Sequence, residues 1–234
     1  MGIDLKRFDK AFSNLSNIFK KSASLKLKEL STIQDFQLQA LIITSRLEED
    51  IAEHTKHVKY VFDCLKKNNE INDSESVKSI INLSKLKLDL SDLYIYARMF
   101  LDALTVGIKR SFINAGNKNE CVIGERVSYF LNAKKMKIYK EKIDPNFFGN
   151  LENHLDWISK LKGARDGLMH DDHYFVFTTT KQGELGYDII HDPVQSWGSD
   201  TVKGIFIDIQ TIIDNLTSLM EYLYTDLPKK STLL

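Results

Sequence analysis

Apolar residues recur at spacings of three and four through most of this chain, the period of helices with one buried face. In residues 4–20 they are Leu5, Phe8, Phe12, Leu15, Ile18 and Phe19, and Ser22-Ala23-Ser24 marks a break after them. A second helix is predicted over about 32–67, with Phe36, Ala40, Ile43, Leu47, Ile51, Val58, Val61, Phe62 and Leu65 on its apolar side. The polar run 68–73 reads as a loop, and Asp73 or Ser74 can cap the next helix. This third helix covers about 75–112, with Ile80, Leu83, Leu90, Leu93, Ala97, Phe100, Leu101, Leu104 and Ile108 spaced for burial. Helices this long suit an up-and-down bundle. Residues 114–119 are turn-rich, 123–131 read as a short helix, and 146–170 as another, with Pro145 in its approach.

After residue 170 the period changes from helical to alternating. Tyr174 to Thr180 is rich in aromatic and β-branched residues, Lys181 to Gly186 supplies a turn, and Tyr187 to Ile190 returns as a second strand. This predicts a β-hairpin inserted at about 173–191. A closing helix comes next, over about 201–223, its stripe made of Ile205, Ile209, Ile212, Ile213, Leu216, Leu219 and Leu223, and 228–234 reads as a frayed tail. The three prolines, at 145, 193 and 228, all sit at predicted boundaries. The expected fold is therefore mainly α: a single domain over 1–234, an up-and-down helical bundle with a small hairpin before its last helix.

Charge narrows the partners. Thirty-two basic and 32 acidic residues cancel, so no global field draws the chain onto a polyanion and any such binding needs a local patch. Only six of the basic residues are arginine, which makes Arg98 and Arg165, both outside an obviously solvated face, worth attention. Cys64 and Cys121 stand far apart with no histidine at zinc-finger spacing, so neither a disulfide framework nor a structural metal is indicated. No apolar run reaches membrane-spanning length and the first residues open no signal peptide, so the expectation is a cytoplasmic protein without membrane contact.

Chemistry concentrates at the end of the 146–170 helix. Leu151, Leu155, Ile158, Leu161 and Leu168 form its stripe, and Arg165 falls on that stripe, where a cation must be paired or must reach out along its stem. His170 comes five residues later, in the last turn. Arg165-Asp166-Gly167-Leu168-Met169-His170, an Arg-x4-His motif ending a penultimate helix before a strand pair and a last apolar helix, resembles the signature of the HEPN family of all-helical domains. The resemblance implies a homodimer in which two motif helices share one cleft. In active members the activity is metal-independent endoribonuclease cleavage, of the kind used in stress response, phage defence or toxin–antitoxin pairs. It implies His170 as acid/base, Arg165 as phosphate-binding group and Asp166 as the residue that orients one of them, with RNA and an antitoxin or other regulatory protein as partners and no cofactor. Other members are non-catalytic and bind RNA, a nucleotide or a protein.

Helical geometry sets a condition on this reading. Arg165 and His170 point about 140° apart and lie about 7.5 Å apart along an ideal axis, so one helix does not by itself converge them. Asp166 and His170 are four apart and can hydrogen-bond; the second subunit, or a loosened turn at Gly167, would have to do the rest.

The remaining candidates have plainer readings beside the chemical one. Lys134, Lys135, Lys137 and Tyr139 form the densest basic tract with a ring that can stack on a base, although charge runs are usually just solvated. His170-Asp171-Asp172-His173 has metal-ligand residue types, but adjacent residues rarely converge on one ion. His54 and His57 are three apart on one helix, with no third ligand nearby, and read as a solvated face. Tyr94, Arg98 and Asp102 repeat every four residues, either as a polar seam towards the motif helix or as a surface ladder. There is no phosphate-cradling glycine loop, nucleophile elbow or Ser-His-Asp order.

Overall fold

The computed structural model describes residues 5–21, 27–67, 73–117, 122–170, 173–179, 185–190 and 202–228. The break at 22–24, most of the 68–73 loop, Cys121, Asp171 and Asp172, most of the 181–186 turn, Pro193 and the tail after Pro228 lie outside the described residues. In chain order come α1 (Lys6–Lys21), α2 (Leu27–Lys66), α3 (Asp73–Asn114), α4 (Ala133–Lys142), α5 (Pro145–Leu151) and α6 (Leu155–His170). Strands β1 (Tyr174–Thr179), β2 (Leu185–Ile190) and β3 (Lys203–Gly204) precede α7 (Ile205–Asp226). The fold is mainly helical with a small antiparallel sheet before the last helix, as the periodicity predicts.

Local chemistry explains where the elements depart from expectation. The basic tract is a helix of its own, α4, because Asn132 caps it by accepting the Lys135 N–H at 3.1 Å. Asp144 does the same for α5, accepting the Phe147 N–H at 2.8 Å, with Pro145 at the first helical position where its missing N–H costs nothing. The predicted 146–170 helix is thus two helices, α5 and α6, joined through a 3₁₀ turn at Glu152–His154 whose flanking backbone keeps helical dihedrals. Where spacing predicts a short helix over 123–131, only a 3₁₀ turn at Val127–Tyr129 forms; Asp102 takes the Val127 N–H at 2.8 Å. The closing helix starts at Ile205 rather than 201, since Lys203 and Gly204 pair with Tyr187 and Gly186 as a third strand.

The chain divides into two compact units, each taking part of α2, α3, α6 and α7: Met1–Ile3, Ala40–Tyr94 and Ala164–Ile209 in one, and Asp4–Gln39, Ile95–Gly163 and Gln210–Leu234 in the other. The second unit is held by aromatic rings. Phe36 stacks on Phe100 with centroids 4.6 Å apart and meets Phe8 edge-on, while Phe148 gathers Phe112, Phe130, Tyr139 and Phe147 around it. Such pairs add about 0.5–1.5 kcal/mol each beyond the area they bury. Arg7 grips Glu221 with two N–H groups, and Tyr222 donates to the Phe147 carbonyl at 2.6 Å, tying α1 and α5 to α7.

The first unit combines α2 and α3 with the sheet, where β1 and β2 pair in register from Tyr174 opposite Ile190 to Thr179 opposite Leu185. Its α2–α3 seam is partly polar. Asp50, His54, His57, Asn82 and Asp89 are buried there, with Arg46 bonding Asp89 and Lys85 reaching Asp50 at 3.8 Å. The solvated reading of His54 and His57 is therefore corrected. Burial lowers the His54 pKa, and the charge of His57 adds to the effect. Conversely Phe62, Leu65 and Ile80, expected inside, are exposed.

Gly107 offers a clean test of the aromatic packing, because a Cβ there would lie 2.5 Å from the Phe19 ring, which is fully buried. Helix propensity alone would make Gly107→Ala stabilising by about 1 kcal/mol, whereas forcing the ring aside costs about 1–3 kcal/mol. Urea unfolding should show net destabilisation of Gly107→Ala; a gain in stability would mean Phe19 does not rest on that glycine.

Candidate functional site

Arg165 sits on α6 with its stem along the stripe and its guanidinium turned to the helix end. Its Nη1 donates to Asp166 Oδ1 at 3.1 Å and lies 3.5 Å from His170 Nε2, so the three motif residues meet within one chain. Arg165 and His170, which spacing alone does not converge on one helix, come within 3.5 Å here: their Cβ atoms diverge, but the arginine stem is long enough to swing its head over the turn. The ion pair is half-buried on both sides, and His170 is exposed. The Arg165 Nε faces inward and has no hydrogen-bond partner among the described residues, so only the Nη edge meets the surface. A neutral imidazole with its Nε2 lone pair turned to Arg165 would accept that N–H weakly.

Gly167 has a role that spacing alone does not expose. His173 returns its N–H to the Gly167 carbonyl at 3.3 Å, six residues back. Its ring lies where a side chain at 167 would stand, with ring atoms 2.8 Å from an ideal Cβ. The His173 ring therefore covers the last turn of α6 at position 167. The only trace of this in the sequence is a glycine three residues before a terminal histidine.

Directly beyond this turn the sheet is anchored by a buried carboxylate. Asp208, in the first turn of α7, accepts hydrogen bonds from the hydroxyls of Tyr94 on α3 (3.0 Å) and Tyr187 on β2, and its other oxygen pairs with Lys203 of β3 at 3.2 Å. The two hydroxyls also touch at 2.9 Å. Burial, reinforced by the neighbouring carboxylate, pushes both tyrosines well above the ordinary value of 10.0. The four-residue repeat of Tyr94, Arg98 and Asp102 is thus not one seam: Tyr94 serves Asp208, while Arg98 pairs with Asp102 at 3.5 Å.

The basic tract behaves differently from its reading. Tyr139 is 0% exposed, its ring against Phe130 and Phe148 and its hydroxyl taking the Gly124 N–H at 3.3 Å, so it cannot stack on a base. Lys134 and Lys137 are exposed and Lys135 half-buried; Lys137 reaches Glu141 at 3.8 Å. A pocket of about 320 Å³ lies beside them, with Phe130, Met136 and Leu155 on its floor and Lys137, Lys140 and Glu152 at its rim, the latter two paired with each other.

Among the described residues no group of three His, Cys, Asp or Glu is placed to hold a metal ion, and no helix is long and apolar enough to cross a membrane. No family model, curated protein or solved structure matches this chain.

The Asp208 cluster has a pH signature. Because folding raises the pKa of Tyr94 and Tyr187, an unfolding chain releases their protons first; the stability they lend is complete below pH 10 and is lost as pH climbs beyond it. Each such group contributes a slope of about 1.4 kcal/mol per pH unit. Burial also raises Tyr139 and Tyr222, so Tyr94→Phe/Tyr187→Phe should roughly halve the alkaline loss of stability measured by urea unfolding between pH 9 and 11. An unchanged slope would contradict the assignment.

Proposed function

We propose that this chain is an RNA-cleaving effector whose centre is the α6 end, with His170 as acid/base and Arg165 as phosphate ligand. The reading is supported above all by the approach of the Arg165 guanidinium to His170 Nε2 at the surface, on a motif that resembles the HEPN signature. The chemistry follows from these groups. His170 Nε2 takes the proton of a ribose 2′-hydroxyl, the 2′-oxygen bonds to phosphorus, and the bond to the 5′-oxygen breaks. That oxygen takes a proton from solvent. Arg165 neutralises charge on the non-bridging oxygens, and an arriving phosphate draws its Nη edge away from His170, freeing the lone pair that acts as base. Asp166 holds the guanidinium in place from the other side. The products are a 2′,3′-cyclic phosphate and a 5′-hydroxyl, with no metal required. In stress response, phage defence or a toxin–antitoxin pair, a regulatory partner would restrain such an activity.

A second reading has its own support. Arg165 already has a carboxylate partner and the chain carries no net charge, which suits a non-catalytic protein of the same architecture that binds RNA, a nucleotide or a protein.

Incubating the purified chain with RNA in the presence of a chelator distinguishes the two. Cleavage with cyclic-phosphate ends is expected, falling by about 10²–10⁴ in His170→Ala. Arg165→Lys should also be impaired, because a point charge does not replace a two-pronged donor. Undiminished cleavage by His170→Ala would exclude that histidine as the acid/base, and intact RNA with the wild-type chain would favour the second reading.

A further inference from the structure

The second unit holds a cavity that the motif chemistry does not use. It opens between α4 and the turn that leads into α6, and its volume of about 320 Å³ suits one small organic molecule, since ligand sites run from about 300 to 1,000 Å³. Phe130 and Met136 on its floor are buried, and Leu155 of α6 continues the apolar wall. The Phe130 ring is itself held, edge-on to Tyr139 at 5.9 Å and against Phe148 at 6.2 Å. The floor is therefore preformed, and an occupant has little to reorganise. Charged side chains stand at the rim, as Lys137, Lys140 and Glu152.

The rim charges select what enters. Five lysines and one glutamate fall within α4, a local positive field in a chain whose total charge is zero. Lys140 is committed to Glu152 across the rim at 2.5 Å, which staples α4 to the turn before α6. Lys137 reaches Glu141 at 3.8 Å, but both of those side chains are more than half exposed, so the pair is weak and the ammonium can turn to an occupant. Two ammoniums against one carboxylate leave a single positive charge at the mouth. A monoanion balances it, whereas a phosphate polymer would crowd Glu152 with further negative charge. The floor makes the second choice. A nucleobase seated on the side chains of Phe130, Met136 and Leu155 would leave its polar edge without hydrogen-bond partners, while an alkyl or aryl group has no such edge to satisfy. We infer that this pocket binds a small organic acid, with its apolar body on Phe130, Met136 and Leu155 and its one negative charge at Lys137. The inference does not rest on the ribonuclease reading, whose residues Arg165 and His170 belong to the other unit.

Isothermal titration of the full chain with sodium octanoate tests this, with octanol as the same body lacking the charge and adenosine monophosphate as an anion with a polar base. One octanoate per chain is expected, bound more tightly than either comparator. Lys137→Met keeps the side-chain stem and removes the charge; it should weaken octanoate about fivefold, the upper range for one exposed ion pair, and leave octanol unchanged. Ala133→Trp sets a large side chain at the pocket wall and should weaken octanoate and octanol alike, with helical circular dichroism and cooperative melting retained. Absence of saturable octanoate binding would overturn the inference. Octanol binding as tightly as octanoate would remove the role of charge, and tighter binding of adenosine monophosphate would make this a nucleotide site; either result overturns it. So would octanoate binding that either variant leaves intact.

Discussion

One buried carboxylate organises the part of the molecule that carries the motif. Asp208 takes hydroxyls from α3 and β2 and an ammonium from β3, and each would be a liability alone in that environment. Removing any one donor leaves the others facing a charge with less compensation, at about 1–3 kcal/mol for an unmatched buried group. The network also fixes position. A three-stranded sheet whose third strand is two residues long has little to hold it by itself, and Tyr187 is the β2 residue that both pairs with Lys203 and binds Asp208. Because β1 begins four residues after His170, anchoring the sheet also anchors the chain as it leaves α6.

Much of this architecture is readable from spacing, and the failures have identifiable causes. Long runs such as Phe36 to Leu47 and Leu93 to Ile108 are legible because many turns repeat the same face. The α5–α6 junction escapes notice because the apolar period runs through it; the break is made by the Asp144 cap and a tightened turn. Strand β3 is invisible, since two residues carry no period. At Tyr139, a tyrosine among lysines reads as a surface aromatic, yet on a helix the lysines can point outward while the ring turns in. His54 and His57 fail for the opposite reason: polar residues are assigned to water, but the α2–α3 seam takes them in.

That seam shows how far a binary pattern can be trusted. It predicts that isoleucine, valine and leucine at helical spacing are covered, and says nothing of which molecule covers them. Within α3 the residues from Leu86 to Leu104 obey it inside the chain, whereas Val77 to Leu88 on the far side do not. Phe62 and Leu65 near the end of α2 depart from it as well. A random surface substitution would scatter its apolar residues, and scattered single exposures need no explanation.

At the motif, direction and reach come apart. Angular position on a helix wheel decides which Cβ atoms are neighbours, and by that criterion Arg165 and His170 belong to different faces. Functional atoms of arginine, however, sit several bonds beyond Cβ, so the wheel constrains short side chains far more than long ones. Asp166 is short and stays on its own face, and His173 meets the helix only because Gly167 has no side chain to exclude it. The site is therefore assembled by one long residue swinging across the turn and one loop residue folding back onto it. A spacing rule that treats all side chains as equal in length will misjudge any arginine-containing helix end, and the error runs in one direction, towards declaring apart groups that can meet.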